Sequence, residues 1–153
     1  MNRGSTIFLR LVILTIGLVV LALCVYGIPQ ALMSDVGGYR LILLGMYVPA
    51  IPFFIALYQG FKLLDYIDKN QTFSNSSTKV LGNIKYCGIV ISGLYVLGMP
   101  YVLIVAERDD APGVVLIGLI IIGASLVIAA AAGLFQRLLQ NAIDIKSEND
   151  LTV

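Results

Sequence analysis

Four stretches without a charged residue constrain the fold of this chain more than any other feature. They cover residues 11–28, 41–58, 86–106 and 114–135. A helix needs ~20 apolar residues, with a range of roughly 17 to 25, to cross the ~30 Å hydrocarbon core of a bilayer. The sequence therefore predicts an all-α protein of one domain, a four-helix transmembrane bundle with short cytoplasmic helix extensions.

The composition agrees with a membrane protein and argues against several other classes. Hydrophobic residues make up 59% of the chain and charged residues only 12%, whereas soluble domains carry about 25% charged residues. The net charge of +1 provides no basic surface, so no direct nucleic-acid partner is expected. The chain has no His, the commonest metal ligand, and neither a metal nor another cofactor is expected.

The first charge-free stretch has two competing interpretations. Its basic start, with Arg3 and Arg10, is also typical of a cleaved signal peptide. Residues 21–24, Leu-Ala-Leu-Cys, faintly resemble a lipoprotein cleavage box. A signal peptide has a shorter apolar core, however, and here the apolar run continues to Pro29. We therefore expect a retained first span.

The second stretch contains Pro49 and Pro52. Proline removes a backbone donor and kinks a helix. We expect a bent packing helix, with a functional hinge or cavity as the alternative.

A polar segment, Phe61 to Lys85, separates the first two spans from the last two, and we call it the hinge segment. The second helix is expected to continue into it and to end at residues 70–72. Ser74 or Ser76 is placed to cap the next helix. Phe73 is placed to pack back on Thr78 as a hydrophobic staple.

The basic residues predict the orientation of the chain. Only Arg40 and Arg108 lie on the side of the two short loops, and the other eight of the ten Lys and Arg residues lie on the side of the termini and the hinge segment. The positive-inside rule then places both termini and the hinge segment in the cytoplasm. We expect a multi-pass protein of the plasma membrane.

Small residues offer a packing face, because close backbone approach associates helices in lipid. Ser125, Ala129 and Gly133 follow one another at four-residue spacing in the fourth span, and Gly88 and Ser92 do so in the third. We expect these residues to pack within one chain, and a homo-oligomer through the same face stays open.

Groups for chemistry are scarce, so an enzyme is not expected. No span interior holds an ionisable Asp, Glu, Lys or Arg, the usual mark of ion or proton coupling. Asp65 and Asp68 are expected on a solvated helix face, where Asp65 has Lys69 as an i,i+4 partner. Cys24 and Cys87 fall near opposite membrane faces, and no disulfide between them is expected.

Beyond Phe135 the fourth helix is predicted to continue as an amphipathic extension, which begins the tail of residues 136–153. Its apolar face is expected to hold Phe135, Leu138, Leu139, Ala142 and Ile143.

Two motifs resemble a bacterial membrane family, domain of unknown function 2975. One is Asn70–Asn75, NQTFSN, with Thr78, Leu81 and Ile84; the other is LLQNA at residues 138–142, with Lys146 and the final ENDLTV. The resemblance covers essentially the whole chain, and Val153 departs from the usual final Ile. It implies four spans, and many members are encoded beside a small helix-turn-helix regulator. No catalytic or ligand residue follows from it.

Two functions are compatible with these patterns. The first is a membrane-bound interaction protein whose hinge segment and tail bind a soluble partner, such as a small helix-turn-helix regulator. Its candidate docking residues are Phe73, Asn149, Asp150 and Leu151, with the last three held against the hinge segment. The second is a small transporter or channel subunit, suggested by the proline-containing span and by Thr15, Gln59 and Ser125.

Overall fold

The computed structural model describes residues 3–34 and 37–151, and it is helical nearly throughout these ranges. The helices are α1 (Arg3–Ala22), α2 (Ile28–Met33), α3 (Tyr39–Gly45), α4 (Tyr47–Asp68), α5 (Asn75–Arg108) and α6 (Pro112–Leu151). A π-helical turn, Leu23–Gly27, joins α1 to α2. These elements form four apolar rods, each long enough to cross a membrane. The first rod is α1 with α2, the second is α3 with α4, the third is α5 and the fourth is α6. This confirms the predicted fold class.

The helical pattern of backbone hydrogen bonds is interrupted once in the first rod and once in the second, and prolines explain both interruptions. The second rod is divided at Met46, three residues before Pro49, which has no amide to continue the ladder. Pro52 lies inside α4. In the first rod, the amide of Ile28 bonds to the carbonyl of Leu23 in the π-helical register. The next donor in that register belongs to residue 29, which is proline.

The rods pack in an order that follows the chain. Helix α5 is central and packs against both α4 and α6, with the contact to α6 the most extensive in the molecule. Helix α1 packs on α4 and makes no comparable contact with α5 or α6 within the described ranges. The first rod is therefore attached along one side only.

Two hydrogen bonds, one at each end, mark the ends of the bundle. At the end that carries the turn Lys69–Ser74, which we call the hinge end, the Gln136 side chain reaches the Thr78 carbonyl. At the opposite end, the Tyr101 hydroxyl donates to the Gly38 carbonyl over 2.7 Å. Consecutive rods therefore run antiparallel.

Candidate functional site

The hinge turn, residues 69–74, begins with a Schellman motif at the end of α4. Asn70 adopts a left-handed conformation with φ of 58°. The amide of Gln71 bonds to the Tyr66 carbonyl over 2.7 Å, and the amide of Asn70 bonds to the Ile67 carbonyl over 3.2 Å. These are the two bonds that satisfy the last carbonyls of a helix in this motif.

The hinge turn ends in a serine cap, and hydrogen bonds join this cap to the start of the turn. Ser74 is the N-cap of α5, and its hydroxyl accepts the amide of Ser77 over 3.3 Å. Ser77 is fully buried, and its hydroxyl donates to the Gln71 carbonyl over 3.0 Å. The side chains of Ser74 and Ser77 thus fix the path of the turn, and of the two candidate caps the structure uses Ser74.

Phe73 does not form the predicted staple with Thr78. Its ring is 59% exposed, while Thr78 is buried. Thr78 directs its hydroxyl to the Asn75 carbonyl, and its own carbonyl accepts a bond from Gln136. Because α6 covers Thr78 in this way, Phe73 remains on the surface.

An ionic cluster joins the first rod to the end of α4. Arg10 contacts Asp65 at 2.5 Å and Asp68 at 3.0 Å through the same guanidinium nitrogen. The two carboxylates lie on one side of α4 because residues three apart are neighbours on a helix. Asp65 is therefore paired with Arg10, rather than with Lys69 as the sequence suggested.

The Gln136 side chain of α6 packs against the start of α5. A Cβ atom added to Gly82 would lie 2.7 Å from the Gln136 nitrogen, so any other residue at position 82 would require the Gln136 side chain to shift. Nearby, the Asn83 side chain donates to the Gln59 side chain over 3.3 Å and links α5 to α4. Sequence patterns gave no sign of the contacts made by Gly82 and Asn83.

The small-residue face lies between α5 and α6. A Cβ atom on Gly88 would lie 2.9 Å from the Ser125 carbonyl oxygen and 3.0 Å from the Ala129 Cβ. Ser92 is buried and bonds to the carbonyl of Ile89. Gly133 is covered by the Lys85 side chain. The structure thus places Gly88 directly against Ser125 and Ala129, and the other two predicted packing residues, Ser92 and Gly133, lie one turn further along their helices.

Beyond this contact, α6 continues as a single helix to Leu151. The side turned toward α5 carries Ala132, which is buried, and Leu139 and Ile143, which are half-buried. Leu138 and Ile145, in contrast, are 55% and 60% exposed. Helix α5 thus covers only part of the predicted apolar face: Leu139 and Ile143 lie toward α5, whereas Phe135 and Leu138 remain exposed, because Leu138 and Leu139 are 100° apart on the helix.

The tail residues lie at the tip of this extension. Asn149, Asp150 and Leu151 are all exposed, Leu151 by 83%, and Thr152 and Val153 lie outside the described residues. Gln136 is level with Thr78, so Leu151 lies ~22 Å further along the helix. The structure does not bring the tail residues together with Phe73.

An apolar crevice of about 620 Å³ lies among the four rods. Its walls come from α1, α4, α5 and α6 and include Ile13, Phe53, Ile91, Ala124 and Ile128. The Ser125 hydroxyl at its edge is already bonded to the Ile121 carbonyl. A second apolar cavity of about 380 Å³ lies near the opposite end.

The described residues contain no group of three metal-ligating side chains. Cys24 and Cys87 are both free.

Comparison with known proteins identifies relatives along the whole chain. The model of the family described as protein of unknown function (DUF2975) matches residues 9–153. A curated relative, the uncharacterized membrane protein YoaS of Bacillus subtilis (strain 168), is 52% identical over 160 residues that cover all of both chains. No solved structure matches. The matched residues include the hinge turn and the α6 extension, and the chain belongs to the DUF2975 family of membrane proteins.

Proposed function

We propose that this protein is a membrane-bound interaction protein whose hinge end lies in the cytoplasm and binds a soluble partner. The observation that carries the proposal is the exposed apolar row of the α6 extension, formed by Leu138 and Ile145. Both side chains point away from the side that packs on α5, so folding of one chain does not cover them.

The row resembles a recognition surface for a helix or a groove. Apolar anchors on one side of a helix, spaced by about two turns, are a common means of binding a protein partner. The neighbouring polar side chains keep the helix soluble, and Gln140 and Asp144 hydrogen-bond to each other over 3.1 Å. A small helix-turn-helix regulator is the proposed partner, on the basis of the family resemblance.

The proposed orientation rests on the distribution of positive charge. Eight of ten Lys and Arg residues fall on the side of the hinge segment and termini, which favours the cytoplasm for that side. Reporter fusions after Asn75 and at Val153 should read cytoplasmic, and fusions after Gly38 and Asp110 should read external. An external reading after Asn75 would contradict the proposed orientation.

The binding surface is tested by photo-crosslinking in native membranes. A photoreactive residue at Ile145 should capture a soluble protein, and the same residue at Ser147, on the other side of α6, should not. Ile145→Asp should abolish capture by a probe at Leu138, while Asp144→Asn should leave it intact. Equal capture from both probe positions would refute binding through this row.

Deletion of Ser147 to Val153 distinguishes between the two candidate docking sites on the extension, the tail residues and the exposed apolar row. If Asn149, Asp150 and Leu151 dock the partner, the truncated protein inserts normally but captures nothing. If the row at Leu138 and Ile145 is sufficient, capture persists, and the tail residues are not the docking site.

A small transporter or channel subunit is the second candidate, and the crevice among the four rods supports it. Its walls carry no Asp, Glu, Lys or Arg, which makes them a poor path for an ion. Substrate flux into vesicles that contain only this protein would favour this candidate over the interaction protein.

A further inference from the structure

We propose that the crevice among the four rods is a binding site for one acyl chain of a membrane phospholipid. The inference is independent of the proposed soluble partner. It rests on the shape, lining and position of the crevice and on the one-sided attachment of the first rod.

The crevice is long. Along the first rod its lining runs from Ile13 to Ile28, a distance of roughly 22 Å at the rise of a helix. A volume of about 620 Å³ spread over that length is enough to hold one extended acyl chain. The length is somewhat greater than one leaflet of a ~30 Å hydrocarbon core, so a single chain can be accommodated lengthwise.

The lining demands an apolar occupant. Nearly all the wall side chains are aliphatic or aromatic, and they include Val20, Phe53, Leu57, Ile91 and Ile128. Polar side-chain atoms in the walls are few: the Ser125 hydroxyl, which bonds to the Ile121 carbonyl, the Tyr95 hydroxyl and the Cys24 thiol. A water molecule needs two to four polar partners, so an apolar cavity stays dry and accepts apolar molecules.

The crevice opens toward the lipid between the first and last rods. Residues of α1 and α6 both line it, yet these helices make no comparable contact with each other in residues 3–34 and 37–151. The first rod is held on α4 by Arg10 near one end and by the carbonyl of Cys24 near the other. An acyl chain can therefore enter sideways from the bilayer without displacing a packed helix.

The composition of the bilayer favours an acyl chain over other possible occupants. Acyl chains surround the opening at a far higher concentration than any other apolar molecule. Leaving the crevice empty would forfeit the dispersion contacts of its walls.

The first test is lipid retention. Protein reconstituted in vesicles of dioleoyl phosphatidylethanolamine and dioleoyl phosphatidylglycerol is extracted in mild detergent and examined by native mass spectrometry. We expect one phospholipid per chain. No adduct, or an adduct of only detergent or free fatty acid mass, would overturn the proposal.

A matched pair of substitutions locates the lipid. Ala124→Phe fills the crevice from α6, and Ala130→Phe places the same ring on a side of α6 that does not line it. The phospholipid adduct should fall at least fivefold in the first variant and be unchanged in the second. An equal adduct in both, each melting as a folded protein, would place the lipid elsewhere and overturn the assignment.

A spectroscopic test does not depend on a filled crevice. The chain has no Trp, so Phe53→Trp places a single fluorophore in the wall, and Leu126→Trp places one outside it. After loading with phospholipid brominated on its acyl chains and removal of bulk lipid in detergent, Phe53→Trp should remain quenched and Leu126→Trp should recover. Recovery of both would overturn the proposal.

Discussion

Tyr47 and Cys24 are joined by a hydrogen bond of 2.7 Å, in which the tyrosine hydroxyl donates to the cysteine main-chain carbonyl. In the π-helical turn that carbonyl would accept the amide of residue 29, and proline has none. A backbone group without a partner is costly in lipid. Tyr47 therefore supplies from the second rod the donor that Pro29 removes from the first.

Tyr47→Phe should lower the free energy of unfolding by about 1–3 kcal/mol, because the Cys24 carbonyl is left without its donor. Thermal unfolding in detergent measures the loss. Tyr26→Phe is the control, since Tyr26 is 73% exposed and its loss should change little. Equal melting temperatures of the two variants would show that another group satisfies the carbonyl.

Gly88→Ala should destabilise the contact between α5 and α6, since the added Cβ would lie 2.9 Å from the Ser125 carbonyl oxygen. Overpacking of this kind costs ~1–3 kcal/mol. Gly93→Ala on the same helix meets nothing within 4 Å and should be neutral or stabilising, because alanine favours the helix. A thermal melt that ranks Gly93→Ala below Gly88→Ala would contradict this packing.

Asn70→Gly should raise stability by up to about 1 kcal/mol, because glycine adopts the left-handed conformation without a steric penalty. Lys69→Gly is the control: Lys69 has φ of −86°, so glycine relieves no strain and only adds freedom to the unfolded chain. In urea or thermal unfolding, Asn70→Gly should be more stable than the unsubstituted protein and Lys69→Gly should be less stable.

Arg10 and Asp65 should show a coupling of only about 0.2–1 kcal/mol in a double-mutant cycle with Arg10→Gln and Asp65→Asn. Their side chains are 37% and 53% exposed, and water weakens such pairs. The coupling should shrink in 1 M salt, where the Debye length is ~3 Å. A coupling that salt leaves unchanged would mean that the contact is not mainly ionic.

Much of the fold could be predicted from the sequence, because a chain that crosses lipid must satisfy its backbone hydrogen bonds within apolar helices of about 20 residues. Charge-free runs of about 20 residues predicted the four rods, and the serine-rich start of α5 indicated a cap at Ser74 or Ser76, of which the structure uses Ser74. Helix continuation to Asp68 followed from the apolar spacing of Leu57, Phe61 and Leu64. In each of these cases the signal is local in the chain.

The features that could not be predicted depend on residues far apart in sequence. Arg10 and Asp65 are separated by 55 positions, and the sequence offered the nearer Lys69 as a partner. Leu138 and Leu139 are equally apolar, so only the position of α5 decides which of them is covered. The crevice likewise depends on where the first rod stops packing, and no single segment encodes that.

Two contacts determine where the far end of α6 lies. The helix has 40 residues, and Ala129 rests against Gly88 part-way along it. Two turns further on, the Gln136 side chain bonds to the Thr78 carbonyl and fixes α6 on α5 a second time. From Gln136 the helix runs ~22 Å further to Leu151 without a break. The position of the tip relative to the bundle is therefore set by these two contacts rather than by a loop.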